Sequence, residues 1–144
     1  MSALVFNQFK YESANQTVSW TSDTMKAALV MTNTTAGTEE DTTNVASFTT
    51  LDECDGASYA RQTLGTKTVT NDTTNDRTVL DAADVTFSSL GAGTRATQGL
   101  LVIQDTGSDA TSIPVCYMPF TSNQTHNGSD FPVQFPSTGI LLLT

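Results

Sequence analysis

Two short apolar runs joined by a polar turn, residues 98–118, constrain the fold of this chain more than any other feature. Residues 98–103 and 112–118 contain β-branched and aromatic side chains, and residues 104–111 between them are nearly all turn formers. This pattern predicts a β-hairpin. The four consecutive apolar residues 100–103 give its first arm two apolar faces, so other parts of the chain must cover both. We therefore expect the hairpin to lie at the centre of a β-sandwich.

Threonine and serine are abundant, and they favour β structure and turns. The chain contains 27 Thr and 13 Ser among 144 residues, and Thr suits strands better than helices. A chain of this length fits one domain with a sizeable core. The sequence therefore predicts one all-β domain over residues 1–144, an antiparallel β-sandwich of jelly-roll-like or immunoglobulin-like type with long polar loops.

Further strands are predicted outside the central hairpin, with turn formers between them. They cover residues 4–11, 16–20, 23–32, 57–64, 67–70, 77–81, 84–88, 131–135 and 140–144. Residues 23–32 also contain helix formers, and we interpret them as a strand because both neighbouring segments are β-like. We expect residues 1–20 to form an edge strand or an extended arm, and residues 140–144 to pair beside the arm that begins at Gln98.

Two long polar stretches, residues 32–50 and 119–130, are predicted to be loops. Loops of this length in a compact domain are typically functional or interaction segments, so both are candidate contact surfaces. A half-turn of helix is predicted around the end of the first loop, at residues 48–53.

The net charge of −9 excludes one class of partner. Only six cations oppose 15 acids, and scattered cations cannot form the basic stripe that nucleic acid requires. No apolar run approaches the length of a membrane span and no signal peptide begins the sequence, which predicts synthesis in a cytoplasm and no membrane partner. The acid excess is typical of a protein that must remain soluble at high concentration.

No catalytic, cofactor-binding or metal-binding motif is found, and the sequence predicts no enzyme. Asp52, Glu53 and Asp55 are close in sequence, but adjacent acids in a loop point apart, unlike the facing pair of a glycosidase. The single histidine, His126, lies in a polar loop and makes a poor catalytic base. Cys54 and Cys116 have no CxxC partner, and a disulfide between them is left open.

Several segments together resemble a family of small structural proteins encoded among the capsid genes of tailed bacteriophages. The segments are residues 51–64, 67–70, 81–87 and 139–144, and residues 23–29 resemble the opening of the family's first strand. Such proteins look like capsid decoration (cement) proteins or other virion structural proteins. The resemblance implies a non-enzymatic protein, often a homotrimer, that binds the major capsid protein on the outer surface of the virion.

The expected role predicts two contact regions, one for the capsid and one for self-association. We expect capsid contacts from the N-terminal segment and the loop over 39–48, and self-association around residues 59–64. The interface residues are Phe6, Phe9, Tyr11, Phe48, Tyr59 and Arg61, with Arg61 pairing an acid across the interface. Deleting residues 2–12 should then abolish capsid binding without unfolding the domain.

An alternative function remains open from the sequence. A phage fibre or tail protein, or a glycan-binding adhesion module, would share the β-rich, Thr-rich and acidic profile. Its sugar-stacking platform would come from the scattered aromatic residues Tyr11, Trp20, Tyr59 and Tyr117.

Overall fold

A computed structural model describes residues 3–144, and it contains ten strands and one short α-helix. The elements in chain order are β1 (Leu4–Val5), α1 (Asn7–Ala14), β2 (Met25–Met31), a 3₁₀ turn (Val45–Ser47), β3 (Gln62–Thr63), β4 (Thr68–Asp72), β5 (Arg77–Asp81), β6 (Val85–Phe87), β7 (Thr97–Gln104), β8 (Ile113–Gln124), β9 (Phe131–Val133) and β10 (Leu141–Leu143). The first two residues of the predicted arm lie outside the described part.

Three antiparallel sheets form from these strands, which confirms the predicted all-β class. The largest has the order β1-β8-β7-β2-β3, the second β10-β5-β4, and the third β6-β9. The predicted hairpin is confirmed as β7 and β8, which pair at the centre of the five-stranded sheet. The helix-or-strand ambiguity at residues 23–32 resolves as strand β2, which pairs with the other side of β7.

Both faces of the five-stranded sheet are apolar and both are covered, as the run 100–103 predicts. Leu29, Leu100 and Met118 form one cross-strand row, and Ala28, Leu101 and Tyr117 form the neighbouring row. Because side chains alternate along strands, these two rows point to opposite faces. All six residues are at most 7% exposed, so the sheet lies inside the domain.

One face, which we call the strand-covered face, packs against the smaller sheets. The row of Leu29 belongs to the same core cluster as Leu80 of β5, Phe87 of β6 and Leu141 of β10. This cluster also takes in Trp20, whose indole Nε1 donates a hydrogen bond to the Asp81 carbonyl oxygen at 3.0 Å. The strand-covered face is therefore the interface between layers that a sandwich requires.

The opposite face, the loop-covered face, is closed by a segment with almost no regular structure. Ala36, Val45 and Phe48 pack on the row of Leu101 together with Phe6. Residues 32–51, the cover segment, thus act as a second layer. The loop predicted at 32–50 as a contact surface places its apolar side chains against the chain's own sheet.

The N-terminal strand prediction was wrong beyond Val5. The two residues of β1 form an edge strand on β8, and α1 begins at Asn7 in place of the strand predicted over residues 4–11. Phe6 lies in the cluster of the loop-covered face and Phe9 in that of the strand-covered face. The two phenylalanines thus belong to the cores of opposite faces, so the chain crosses the edge of the sheet between them. The strand predicted at residues 16–20 does not form either.

The pairing predicted for the C-terminal strand was also wrong. β10 pairs with β5, with Leu141 opposite Leu80, and does not lie beside β7. The physical reason is that β7 has no free edge, since β2 and β8 occupy its two sides.

Smaller differences concern the polar segments. The predicted half-turn of helix at residues 48–53 is replaced by the 3₁₀ turn at Val45–Ser47. Within the strand predicted over 57–64, only Gln62–Thr63 pairs. The predicted loop over 119–130 shortens, because β8 continues to Gln124.

Candidate interaction surfaces

Three of the six predicted interface residues lie in the chain's own core. Phe6, Phe9 and Phe48 are 0%, 2% and 8% exposed. The rings of Phe6 and Phe48 meet edge to face with centroids 5.6 Å apart, which joins the N-terminal segment to the cover segment. These side chains therefore stabilise the domain and have little surface left for a partner.

Tyr59 and Arg61 belong to a hydrogen-bonded network inside the domain. The Tyr59 hydroxyl donates to Glu53 Oε1 at 2.6 Å and accepts from the Leu29 amide at 3.1 Å. The Arg61 guanidinium contacts Glu53 at 2.7 Å and Asp109 at 2.6 Å. Arg61 was expected to pair with an acid across an interface, but the structure places both acid partners in the same chain.

The surroundings of Tyr59 and Arg61 keep both side chains protonated. The hydrogen bonds that Arg61 donates to Glu53 and Asp109 raise its pKa above the usual value, so the guanidinium stays charged. Burial, with a smaller effect from the nearby Glu53 carboxylate, raises the pKa of Tyr59 and keeps its hydroxyl a donor. The Tyr59 ring also stacks on Phe87 with centroids 5.9 Å apart. The network therefore fixes residues 53–61 against the core.

Tyr11 differs from the other predicted interface residues because 64% of it is exposed. It lies on α1, two residues after the buried Phe9. Of the six predicted residues it is the one whose side chain has a large free surface.

The three neighbouring acids Asp52, Glu53 and Asp55 diverge to separate partners. Asp52 accepts from the Asn33 amide at 2.7 Å and pairs with Arg95, whose hydrogen bond lowers the pKa of that carboxyl. Asp55 accepts from the Thr94 amide at 2.7 Å, and the side-chain and backbone hydrogen bonds of Thr94 lower its pKa. The carboxylates point apart, as the sequence predicts, and each one joins its own loop to another part of the chain.

Most of the cations are engaged by the chain's own acids. Four of the six form ion pairs, including Lys26 with Asp105 at 2.6 Å and Arg77 with Asp72 at 2.9 Å. These ion pairs use five of the 15 acids and four of the six cations, so the charge that remains on the surface is predominantly negative.

His126 and the cysteines do not form a reactive cluster. His126 Nε2 lies 2.9 Å from Thr97 Oγ1, its ring meets Phe131 at 4.6 Å, and burial lowers its pKa. Cys54 and Cys116 are both free and buried, so the disulfide left open by the sequence is not formed. Within residues 3–144, no group of three or more His, Cys, Asp or Glu side chains is placed to hold a metal ion.

An apolar groove of about 400 Å³ opens at one end of the domain, between β8 and the segment from β9 to β10. Leu100 and Met118 form part of its lining, together with Phe120 and Phe131, whose rings are 5.9 Å apart and edge to face. We call this the edge groove. Sequence reasoning missed it, although the pattern Phe-Pro-Val-Gln-Phe-Pro at residues 131–136, which lines it, is a signal of an interrupted edge strand.

A bulge in β8 produces the edge groove. Thr97 of β7 lies opposite Gln124, while Gly99 lies opposite Pro119, so residues 120–123 of β8 face only residue 98. The extra residues must leave the plane of the sheet. Phe120 and Ser122 of this bulge line the groove.

Two strand edges border the edge groove. Consecutive residues of one strand point alternately to opposite faces, so a surface lined by consecutive residues is an edge. Residues 131–136 and 138–142 line the groove almost without interruption, and β10 has β5 on one side only. None of the residues that line the groove is charged, although the chain carries a net charge of −9.

Comparisons with protein-family models, curated proteins and solved structures gave no match. No helix within the described residues is both long enough and apolar enough to cross a membrane.

Proposed function

We propose that this protein is a non-enzymatic virion structural protein, a capsid decoration (cement) protein that binds and stabilises the outer surface of a tailed-bacteriophage shell. The proposal starts from the resemblance of residues 23–29, 51–64, 67–70, 81–87 and 139–144 to that family. In this proposal the protein is made in the host cytoplasm. Its partners are the major capsid protein and other copies of itself, with which it forms a homotrimer.

The observation that carries the proposal is the edge groove. A decoration protein binds an assembled surface through shape complementarity and main-chain contacts, and it catalyses no reaction on its partner. An uncharged, apolar groove bordered by free strand edges suits such contacts, because edges offer unpaired backbone donors and acceptors. The hydrogen bonds of Asp52, Asp55 and Arg61 support the same role, since they fix other loops of the domain before any partner arrives.

The part assigned to the N-terminal segment changes in this proposal. Deletion of residues 2–12 would remove β1 and the buried Phe6 and Phe9, so we expect this truncation to unfold the domain. Tyr11 is the better probe of the same region because it is exposed. If α1 contributes to shell binding, Tyr11→Glu weakens it and leaves the melting temperature within a few degrees of the wild type.

The test measures co-sedimentation of the purified protein with assembled empty shells of the phage that encodes it, with light scattering of the protein alone. We expect the trimer mass, and saturation at a ratio fixed by the shell lattice. Bovine serum albumin at the same concentration controls for trapping in the pellet. Protein that stays in the supernatant at every shell concentration would reject the proposal.

The alternative of a fibre, tail or glycan-binding module has less support. Trp20 and Tyr117 of the predicted stacking platform are 4% and 5% exposed, and Tyr59 is bonded inside the domain. Only Tyr11 among the four could stack on a sugar from solvent.

A further inference from the structure

We infer that the edge groove binds an extended segment of the shell protein, which adds as a strand to the free edge of β10, with apolar side chains at its centre and basic residues beside them. This inference rests on the proposed function and names the partner chemistry of the same groove.

The topology selects β10 as the strand that receives the segment. β10 pairs with β5 on one side only, and its consecutive residues Leu141 and Leu142 both line the groove, so the unpaired edge of β10 faces it. The opposite wall contains Pro132, which has no backbone N–H. β10 is antiparallel to β5, so alternate residues of Leu141–Leu143 direct their N–H and C=O groups away from β5, which makes β10 the better template for an added strand.

The size and lining of the groove select apolar side chains. Its volume of about 400 Å³ falls in the range that holds a ligand of several side chains. Met118 and Leu141 on its lining are 7% and 1% exposed, and Phe120 and Phe131 stand at its side. A charged side chain inserted here would lose its hydration without gaining an ion pair. Alternate residues of an added strand point to one face, so every second residue of the segment is apolar.

The charge of the chain selects basic flanks. The groove is uncharged, but the chain carries −9 and most of its cations are paired with its own acids. A segment that leaves the groove at either end therefore enters a negative field, which favours lysine and arginine and disfavours aspartate and glutamate.

Three capped peptides of about six residues, the usual length of a strand, test this chemistry on the isolated protein by NMR titration. The first has alternating valine and threonine with a lysine at each end. The second has the same centre with glutamate at each end, and the third has lysine ends with a glycine and serine centre. We expect only the first to shift the amide signals of residues 120–124 and 140–142 in the submillimolar range.

Leu142 and Leu143 provide a matched pair of variants. Both are 39% exposed and adjacent in β10, but Leu142 lines the groove and Leu143 does not. Leu142→Lys should weaken binding of the first peptide and of shells about tenfold or more, because it puts a charge in the apolar groove. Leu143→Lys should change either affinity less than about threefold. Equal melting temperatures of the two variants exclude a folding defect as the cause.

The remaining outcomes separate this inference from the proposed function. Equal binding of all three peptides, or equal loss in the two variants, would overturn the inference. So would a wild type that self-associates through the groove and a Leu142→Lys variant that is monomeric, because a second copy would then be the occupant. Peptide binding without shell binding would reject the capsid role, whereas shell binding that Leu142→Lys leaves unchanged would reject the groove alone.

Discussion

The two faces of the central sheet are equally buried, yet they are covered in different ways. Strands β5, β6, β9 and β10 contribute to the cover of one face, and the cover segment, residues 32–51, closes the other with a single 3₁₀ turn. Leu29 and Leu101 point to opposite faces and both are 0% exposed. Regular structure is therefore not needed to exclude water from a sheet.

The difference lies in how the backbone polar groups of the two covers are satisfied. Strands satisfy theirs through ladder hydrogen bonds, whereas the cover segment uses side chains and distant loops. Glu39 accepts from the Thr49 amide at 3.0 Å, and the Val45 amide donates to the Ser112 carbonyl at 2.9 Å. The cover segment thus depends on particular polar residues, and the strand cover depends on them much less.

Matched cavity variants test whether the two covers pack equally well. Leu29→Ala and Leu101→Ala should each lower the free energy of unfolding by about 2–5 kcal/mol, because each leaves a cavity in a fully buried site. Urea denaturation measures both. A cost below about 1 kcal/mol for Leu101→Ala alone would mean that the cover segment relaxes into the space, and the comparison would fail.

Glycines on the two sides of the Tyr117 ring give a smaller effect. A Cβ at Gly99 in the sheet would lie 2.5 Å from the ring, and one at Gly37 in the cover segment 3.1 Å. Gly99→Ala should cost about 1–3 kcal/mol because the sheet cannot move, and Gly37→Ala should cost less because the loop can. Gly65→Ala, where no atom lies within 4 Å, is the control. The reverse order would mean that the cover segment is the stiffer of the two.

Acid should loosen the loop-covered face first. The Thr49 and Arg95 hydrogen bonds lower the native pKa values of Glu39 and Asp52, so their stabilisation is complete above the ordinary values of 4.5 and 3.8 and is lost as pH falls through the lowered native pKa values. Hydrogen exchange between about pH 6 and pH 3 should show protection falling earlier at the amides of Asn33 and Thr49 than in β2 and β7.

A variant with an uncharged side chain at position 52 tests the part that Asp52 plays in this acid response. Asp52→Asn removes the ion pair with Arg95 and should cost about 1–3 kcal/mol at neutral pH, with a weaker dependence of stability on acid. Glu40→Gln, at an exposed position in the neighbouring cover segment, is the control for net charge. Similar acid profiles for Asp52→Asn and the wild type would remove Asp52 from the explanation.

The two thiols compare an irregular segment with the central sheet, since both side chains belong to the core cluster of the strand-covered face, but Cys54 lies outside the strands and Cys116 lies in β8. Burial raises the pKa of Cys54, and it raises that of Cys116 in the central strand β8 to about 12. We expect a thiol reagent to label Cys54 faster, through local opening of its irregular segment, and Cys116 only at the rate of global unfolding. Single Cys→Ala variants assign the two phases. Equal rates would show that both regions open together.

The sequence predicted the elements whose signals are local. The hairpin of β7 and β8 follows from two β-rich runs around a turn, and β5 was predicted at its observed bounds, Arg77–Asp81. The demand for cover on both faces also followed from the apolar run 100–103. The helix after β1 was missed, because the apolar positions of residues 4–9 fit a strand as well as a chain that crosses a sheet edge.

The interaction surfaces were harder to predict because they depend on register. The edge groove exists because four residues of β8 face one residue of β7, and a sequence does not reveal how two strands align. The same limit explains Phe6, Phe9 and Phe48, which were expected at an interface. Aromatic residues in polar segments indicate anchoring, but only the fold determines whether the anchor is internal.

The pairing of β10 with β5 also has a consequence for biosynthesis. Leu80 pairs with Val69 of β4 on one side, but it finds its partner on the other side only when Leu141 has left the ribosome, and Val5 likewise awaits Cys116. Such distant pairings make folding slow, on the order of milliseconds to seconds. A nascent chain that stops short of residue 141 therefore leaves one edge of β5 unpaired, and the sheet β10-β5-β4 is expected to close only after residue 141 has been translated.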